Sequence, residues 1–187
     1  MKIFITGGCK TGKSTLAQKL SVKMRPDGRP LYYIATMAPV DGEDQDRIKR
    51  HREERAGLGF HTVEMPRNIA AVLNVCDSAG MFLLDSVTAL LANEMFAVGS
   101  VIPDAYIKVI RGMDKLLAAV DNIIVVSDYI FSDASIYDNI TESYRLGLAR
   151  LHTYLAKYSD AVVESCYGNF IIHKGPADFR EVVNAVL

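Results

Sequence analysis

A three-layer α/β sandwich, with a mostly parallel central sheet between layers of helices, is predicted by three features of this chain. Short apolar runs alternate with longer amphipathic ones from end to end. Most of the apolar runs are continuous, as strands buried on both faces require. The first run enters a glycine-rich loop and then a helical pattern, the order of a strand-to-helix unit. The chain has 187 residues, enough to bury a sizeable core. No repeat, low-complexity tract or linker divides it, so one domain over 1–187 is expected.

The elements follow in order. "KIFIT" (2–6) reads as a buried strand and 13–24 as the helix after it. "LYYIAT" (31–36) is a second strand, and 43–56 is a highly charged helix. "FHTVEM" (60–65) alternates as a half-buried strand does, and 68–76 is a short helix. "MFLLD" (81–85) is a strand followed by a helix over 86–97. Pro103 suits the first turn of a helix reaching about 120. "NIIVVS" (122–127) is the most β-branched run, and a long helix covers 138–158. "DAVVESCY" (160–167) and "NFIIHK" (169–174) read as a terminal hairpin around Gly168-Asn169, with a last helix beyond.

Composition narrows the function classes. The net charge is -1, so no global field draws the chain to nucleic acid or to a membrane surface. Any anion site must be local. No apolar run is long enough to span a bilayer, and "MKIFITGG" is too soon interrupted for a signal peptide. Cys9, Cys76 and Cys166 are an odd number without metal-ligand spacing, which suits reduced thiols in the cytoplasm.

The loop "GGCKTGKST" (7–15) carries the chemistry most plainly. Gly7, Gly12, Lys13 and Ser14 stand at the G-x-x-x-x-G-K-S spacing of a phosphate-binding loop, with a strand before and a helix after. Gly7, Gly8, Cys9, Lys10, Thr11 and Gly12 would turn backbone N–H groups toward phosphate oxygens. Lys13 would reach the β- and γ-phosphates of GTP or ATP, and Ser14 would ligate Mg²⁺. Such a loop needs a second acid at the end of a nearby strand. Asp85 and Asp128 both qualify, and either could instead be a helix N-cap.

The stretch "DQDRIKRHREERAG" (44–57) sets His51 between Arg47 and Arg55, four residues to either side. On a helix the three share a face. Glu43–Arg47, Asp46–Arg50 and Arg50–Glu54 also have the spacing of surface ion pairs, so a merely solvated helix fits the same residues. The functional reading is that two cations disfavour protonation of the imidazole and keep its lone pair available to a phosphorus electrophile. Spacing alone leaves both readings open.

"FITGGCKTGKS", "LYYIAT", "RIKRHREER", "VEMP", "LLDSVTALLAN" and "VVS" occur in this order. Together they resemble the bifunctional adenosylcobinamide kinase / adenosylcobinamide-phosphate guanylyltransferase family of cobalamin biosynthesis, most strongly over 1–95. The resemblance implies a RecA-like P-loop NTPase sandwich. It implies phosphorylation of adenosylcobinamide, then transfer of GMP from GTP to the new phosphate through a guanylyl-histidine. His51 falls on the family histidine. Lys13 falls on the loop lysine, and Thr36, Arg52, Arg55, Glu64 and Asp85 fall on positions near the nucleotide. Ser14 and Asp85 would hold the Mg²⁺. The partners implied are nucleotide and corrinoid substrates, without nucleic acid, and the family tends to be trimeric.

The chain departs from the family after its fifth strand. The family usually reads Val-Ser-Asn-Glu-Val-Gly there, with Gly-Ile-Val-Pro soon after, whereas this chain reads "VVSDYIFSDASIYDNITESYR". Asp128 replaces the Asn and Tyr129 the Glu. His152 falls where the family tends to have Asn and reads as a partly exposed helix residue. His61 and His173 read as structural. A diverged kinase with His51 idle, and a nucleotide-binding regulatory protein with little turnover, are the competing expectations.

Overall fold

The computed structural model describes residues 1–39, 42, 49, 52, 53, 55–97 and 99–187. One sheet is built from β1 (Lys2–Gly7), β2 (Leu31–Ala35), β3 (Phe60–Glu64), β4 (Met81–Asp85), β5 (Asn122–Asp128), β6 (Ala161–Cys166) and β7 (Asn169–Lys174). The strand order is β3-β2-β4-β5-β1-β6-β7. Every neighbouring pair is parallel except β6 with β7. Among the described residues the continuous helices are α1 (Lys13–Met24), α2 (Val87–Met95), α3 (Ala105–Ala119), α4 (Asn139–Tyr158) and α5 (Phe179–Asn184), with a 3-10 helix at Ile69–Asn74.

Strand period two sorts the core into two layers. Phe4, Phe82, Leu84, Ile123 and Val125 point to the side covered by α2, α3 and α4. Ile3, Ile5, Leu83, Ile124 and Val126 point to the side covered by α1 and α5. Each fully buried side chain of this size contributes about 1.5–3 kcal/mol, which is why the central strands carry no polar alternation. Both edge strands meet solvent: β7 alternates over its first residues, whereas β3, expected to alternate, keeps only Phe60 and Val63 half-buried and exposes His61 and Thr62 side by side.

The elements differ from expectation at their ends. The short helix expected over 68–76 is a 3-10 helix over Ile69–Asn74, entered from Asn68 at φ 51. It crosses α3 so closely at Gly112 that a Cβ there would lie 2.8 Å from Ile69 Cγ2. Pro103 is not in the first turn of α3. Pro103 and Asp104 form the turn ahead of it, closed by Ala105 N–H donating to the Ile102 carbonyl at 3.1 Å. The hairpin turn is Tyr167-Gly168 rather than Gly168-Asn169. Both turn residues have positive φ, 48 and 80, as a two-residue hairpin turn with the right twist needs. The helix expected over 43–56 lies largely outside the described residues, of which Lys49, Arg52, Glu53 and Arg55 are helical.

Candidate functional site

The carboxyl ends of three adjacent strands create the site. β1 runs between β5 and β6, and in register Gly7 faces Asp128 on one side and Ser165 on the other. A Cβ at Gly7 would sit 2.2 Å from the Ser165 carbonyl oxygen, so only glycine fits where the chain leaves the sheet. Ser165 Oγ donates to the Thr11 carbonyl at 2.6 Å and ties the loop to β6. Thr11 Oγ1 donates to the Gly8 carbonyl at 2.9 Å and closes the loop on itself. Gly12, at φ 91, ends the loop in a left-handed conformation and starts α1 without any side-chain cap. The first N–H groups of α1 therefore face the loop's concavity, where an anion is their natural partner. Cys9 and Lys10 are exposed on the loop's rim, and Ser14 is half-buried on the first turn.

Lys13 is 6% exposed and its ammonium is ion-paired with Asp128 at 2.9 Å. It also donates to the Gly8 carbonyl. Of the two candidate acids, Asp128 is thus the one on the loop lysine. Asp85 stands one strand further along, at the end of β4, with β5 between it and β1. Its carboxylate accepts from Tyr33 Oη at 2.9 Å. The capping role weighed for Asp85 belongs instead to Ser86, whose Oγ accepts from Ala89 N–H. Thr36 is fully buried, and its hydroxyl bonds to both the N–H and the carbonyl of Ser86, each at 2.7 Å. Thr36 therefore braces the turn that carries Asp85.

Behind Asp128 lies a half-buried polar chain. Its N–H donates to Thr88 Oγ1 at 2.8 Å. Thr88 Oγ1 lies 3.0 Å from Ser127 Oγ, which lies 2.8 Å from His152 Nε2. His152 packs edge-on between Phe4, at 5.1 Å between centroids, and Phe131, at 5.4 Å. His152 is half-buried on α4, as expected of a partly exposed helix residue, and its ring is turned toward Phe4 of the sheet. Burial pushes its pKa from 6.5 down to about 4, against the opposing charge of Asp128. The unfolded chain then binds a proton between those values that the folded chain refuses. Stability should accordingly fall by about 3 kcal/mol as pH drops from 6.5 to 4. Chemical denaturation across that window checks this: His152→Gln, which cannot titrate, should show a flatter loss than wild type, and equal slopes would contradict it.

On the other side of the sheet's end, Arg52 and Glu64 are brought together at 2.6 Å, both exposed. Arg55 is buried, with its guanidinium 3.5 Å from the centroid of the Tyr33 ring. Arg52, Arg55, Gly57, Phe60 and Thr62 line a cavity of about 440 Å³. Tyr33 thereby touches Arg55 with its face and Asp85 with its hydroxyl. His51 and Arg47 lie outside the described residues.

A family model described as cobinamide kinase / cobinamide phosphate guanyltransferase matches residues 3–171. The chain belongs to this family. The bifunctional adenosylcobalamin biosynthesis protein CobP of Pseudomonas aeruginosa is 39% identical over 94 residues, 50% of this chain and 52% of that protein. CobU of Salmonella typhimurium, of the same description, is 33% identical over 101 residues, 53% of this chain and 52% of that protein. These matches span about half the length of the curated relatives. Among solved structures, an ATPase domain superposes with a TM-score of 0.53 at 10% identity, covering 93% of this chain and 76% of that one. That likeness concerns fold alone, and it bears out the α/β sandwich around a mostly parallel sheet.

Where this family member departs from the usual family pattern, the segment after β5 is held by its own contacts. Tyr129 and Phe131 stack edge-on at 5.3 Å. Arg145 reaches back from α4 to Asp133 at 2.9 Å, and Tyr137 Oη donates to the same carboxylate at 3.1 Å. The Arg145 hydrogen bond holds the Asp133 carboxyl below the usual carboxylate range. His173 pairs with Glu164 across β6 and β7 at 2.8 Å, and His61 is exposed on β3 beside Tyr32. Among the described residues no helix is long and apolar enough to cross a membrane. Nor does any group of three or more His, Cys, Asp or Glu form a metal cluster among them.

Proposed function

We propose that this chain phosphorylates adenosylcobinamide and transfers GMP from GTP to the resulting phosphate, with His51 carrying the guanylyl group between two displacements. What supports the reading most is the family match over residues 3–171. The loop from Gly7 to Ser14 takes the phosphates, with Lys13 against the β- and γ-oxygens. Arg52 and Arg55, on the 440 Å³ cavity, and Glu64 beside Arg52 serve the second nucleotide-binding region. Ser14 and Asp85 supply hard oxygen donors of the kind Mg²⁺ takes while keeping several waters. When bound, Mg²⁺ would neutralise charge on the transferring phosphoryl group. The reading includes small-molecule partners only, a homotrimer, and the cytoplasm, to which three free cysteines are suited.

The test is purified protein with adenosylcobinamide, Mg²⁺ and labelled nucleotide. Label from the γ-position should reach the corrinoid, and label from the α-position should follow. Transfer of γ-label alone would mark a diverged kinase, and transfer of neither would refute the proposal. Asp85→Asn should lower Mg²⁺-dependent turnover at least about tenfold, because a neutral amide neutralises no metal charge. Its thermal midpoint should move little: Ser86 keeps the cap, and the Asn carbonyl can still accept from Tyr33 Oη. Wild-type turnover in this variant would remove Asp85 from the metal site.

A further inference from the structure

Lys13 and Asp128 make an ion pair in which the lysine is 6% exposed and the carboxylate 24% exposed. An ammonium this buried is costly without a close anion, and Asp128 is that anion. Incoming phosphate must compete for the same ammonium, and its charge is repelled by the carboxylate already there. Asp128 can do this only if its backbone is fixed, because it ends β5 where the sheet stops. Its N–H is held by Thr88 Oγ1 at 2.8 Å, and Thr88 is itself reached by Tyr144 Oη, which donates to the Thr88 carbonyl at 3.0 Å. Ser127 is fully buried and joins Thr88 to His152.

We propose that Asp128 stands in for phosphate on Lys13 before nucleotide binds and steers that ammonium during phosphoryl transfer, and that His152, acting through Ser127 and Thr88, is the positioning residue that fixes Asp128. Burial keeps the imidazole uncharged at neutral pH, so it serves as a shaped hydrogen-bonding spacer. Phe4 and Phe131 hold its ring on two sides. The inference rests on the phosphoryl-transfer reading for the rate, but its binding consequences stand without it.

The experiment is a double-mutant cycle read by calorimetric titration with GTP and Mg²⁺, and by kcat for corrinoid phosphorylation. Asp128→Asn should bind GTP about threefold to tenfold tighter, because a competing anion is gone, while kcat falls about tenfold. His152→Leu should shift both in the same direction, by less in affinity. The double variant should match Asp128→Asn alone, because His152 acts only through Asp128. His152→Gln, whose amide reaches about as far as the imidazole Nε2, should recover most of the wild-type rate. Ser127→Ala cuts the same chain with a smaller packing change and keeps the test decisive if His152→Leu folds poorly. Weaker GTP binding in Asp128→Asn would overturn the proposal, as would additive effects in the double variant. A wild type that binds GTP but phosphorylates no corrinoid would fail the functional reading and leave the binding cycle to decide this one.

Discussion

Lys13→Ala should abolish phosphoryl transfer and weaken GTP binding on the order of a hundredfold, since a charge-assisted contact to phosphate is lost along with its steering. The structure makes the expected loss larger than removal of one contact. Lys13 is the ion-pair partner of Asp128 at 2.9 Å. Without it, a carboxylate only 24% exposed remains at the mouth of the loop and repels the phosphates directly. Lys13→Ala combined with Asp128→Asn should therefore bind GTP more tightly than Lys13→Ala alone, though neither restores turnover. Titration of the three proteins measures this. Unchanged GTP affinity in Lys13→Ala would remove residues 7–14 from the binding site altogether.

The loop was legible because its chemistry is local: strand, glycines, lysine and helix are contiguous in "FITGGCKTGKST". The uninterrupted apolar run in β5 was legible for the same reason. The Lys13–Asp128 pair was not, because it depends on β5 lying beside β1, and strand order is a long-range property. Asp85 and Asp128 each end a strand, and the sequence favoured Asp85 as the metal-positioning acid. The sheet adds what the sequence lacked: Asp128 ends the strand beside β1, and Asp85 ends the strand beyond it. Thr36 looked like a nucleotide contact by position, and its hydroxyl turns out to be engaged by Ser86 on both sides.

His152 is half-buried on its helix as expected, and the sequence also held a signal for the partner it takes. Leu148, Leu151 and Leu155 are all fully buried on α4. Residue 152 lies four after the first and three before the last, which places it on the same stripe. A histidine on an apolar stripe must find a polar partner from another element, and Ser127 of β5 supplies it. The polar residue ending the apolar run "NIIVVS" was the complementary signal. Neither residue explains itself without the other.

His51→Ala should eliminate covalent labelling of the protein by α-labelled GTP while leaving GTP binding at the phosphate loop within a fewfold of wild type. The residue lies outside the described residues, so the case rests on the family position and on chemistry. A phosphoramidate forms when an uncharged imidazole nitrogen attacks the α-phosphorus and pyrophosphate leaves, and alanine offers no such nitrogen. A purely structural histidine on a solvated helix makes a contrasting forecast: substitution would change stability by a few tenths of a kcal/mol and leave any labelling intact. Arg55→Ala cannot stand in for this test. Its guanidinium covers the Tyr33 ring at 3.5 Å, and Tyr33 bonds to Asp85, so its loss would disturb packing worth about 1–2 kcal/mol as well as any nucleotide contact. The labelled protein should be acid-labile and alkali-stable, which separates a phosphoramidate from a phosphoester. Full labelling in His51→Ala would sink the nucleophile assignment and the guanylyl-transfer half of the function. The kinase half would stand, since Lys13 and its loop belong to β1 and α1, elements that the segment around His51 does not build.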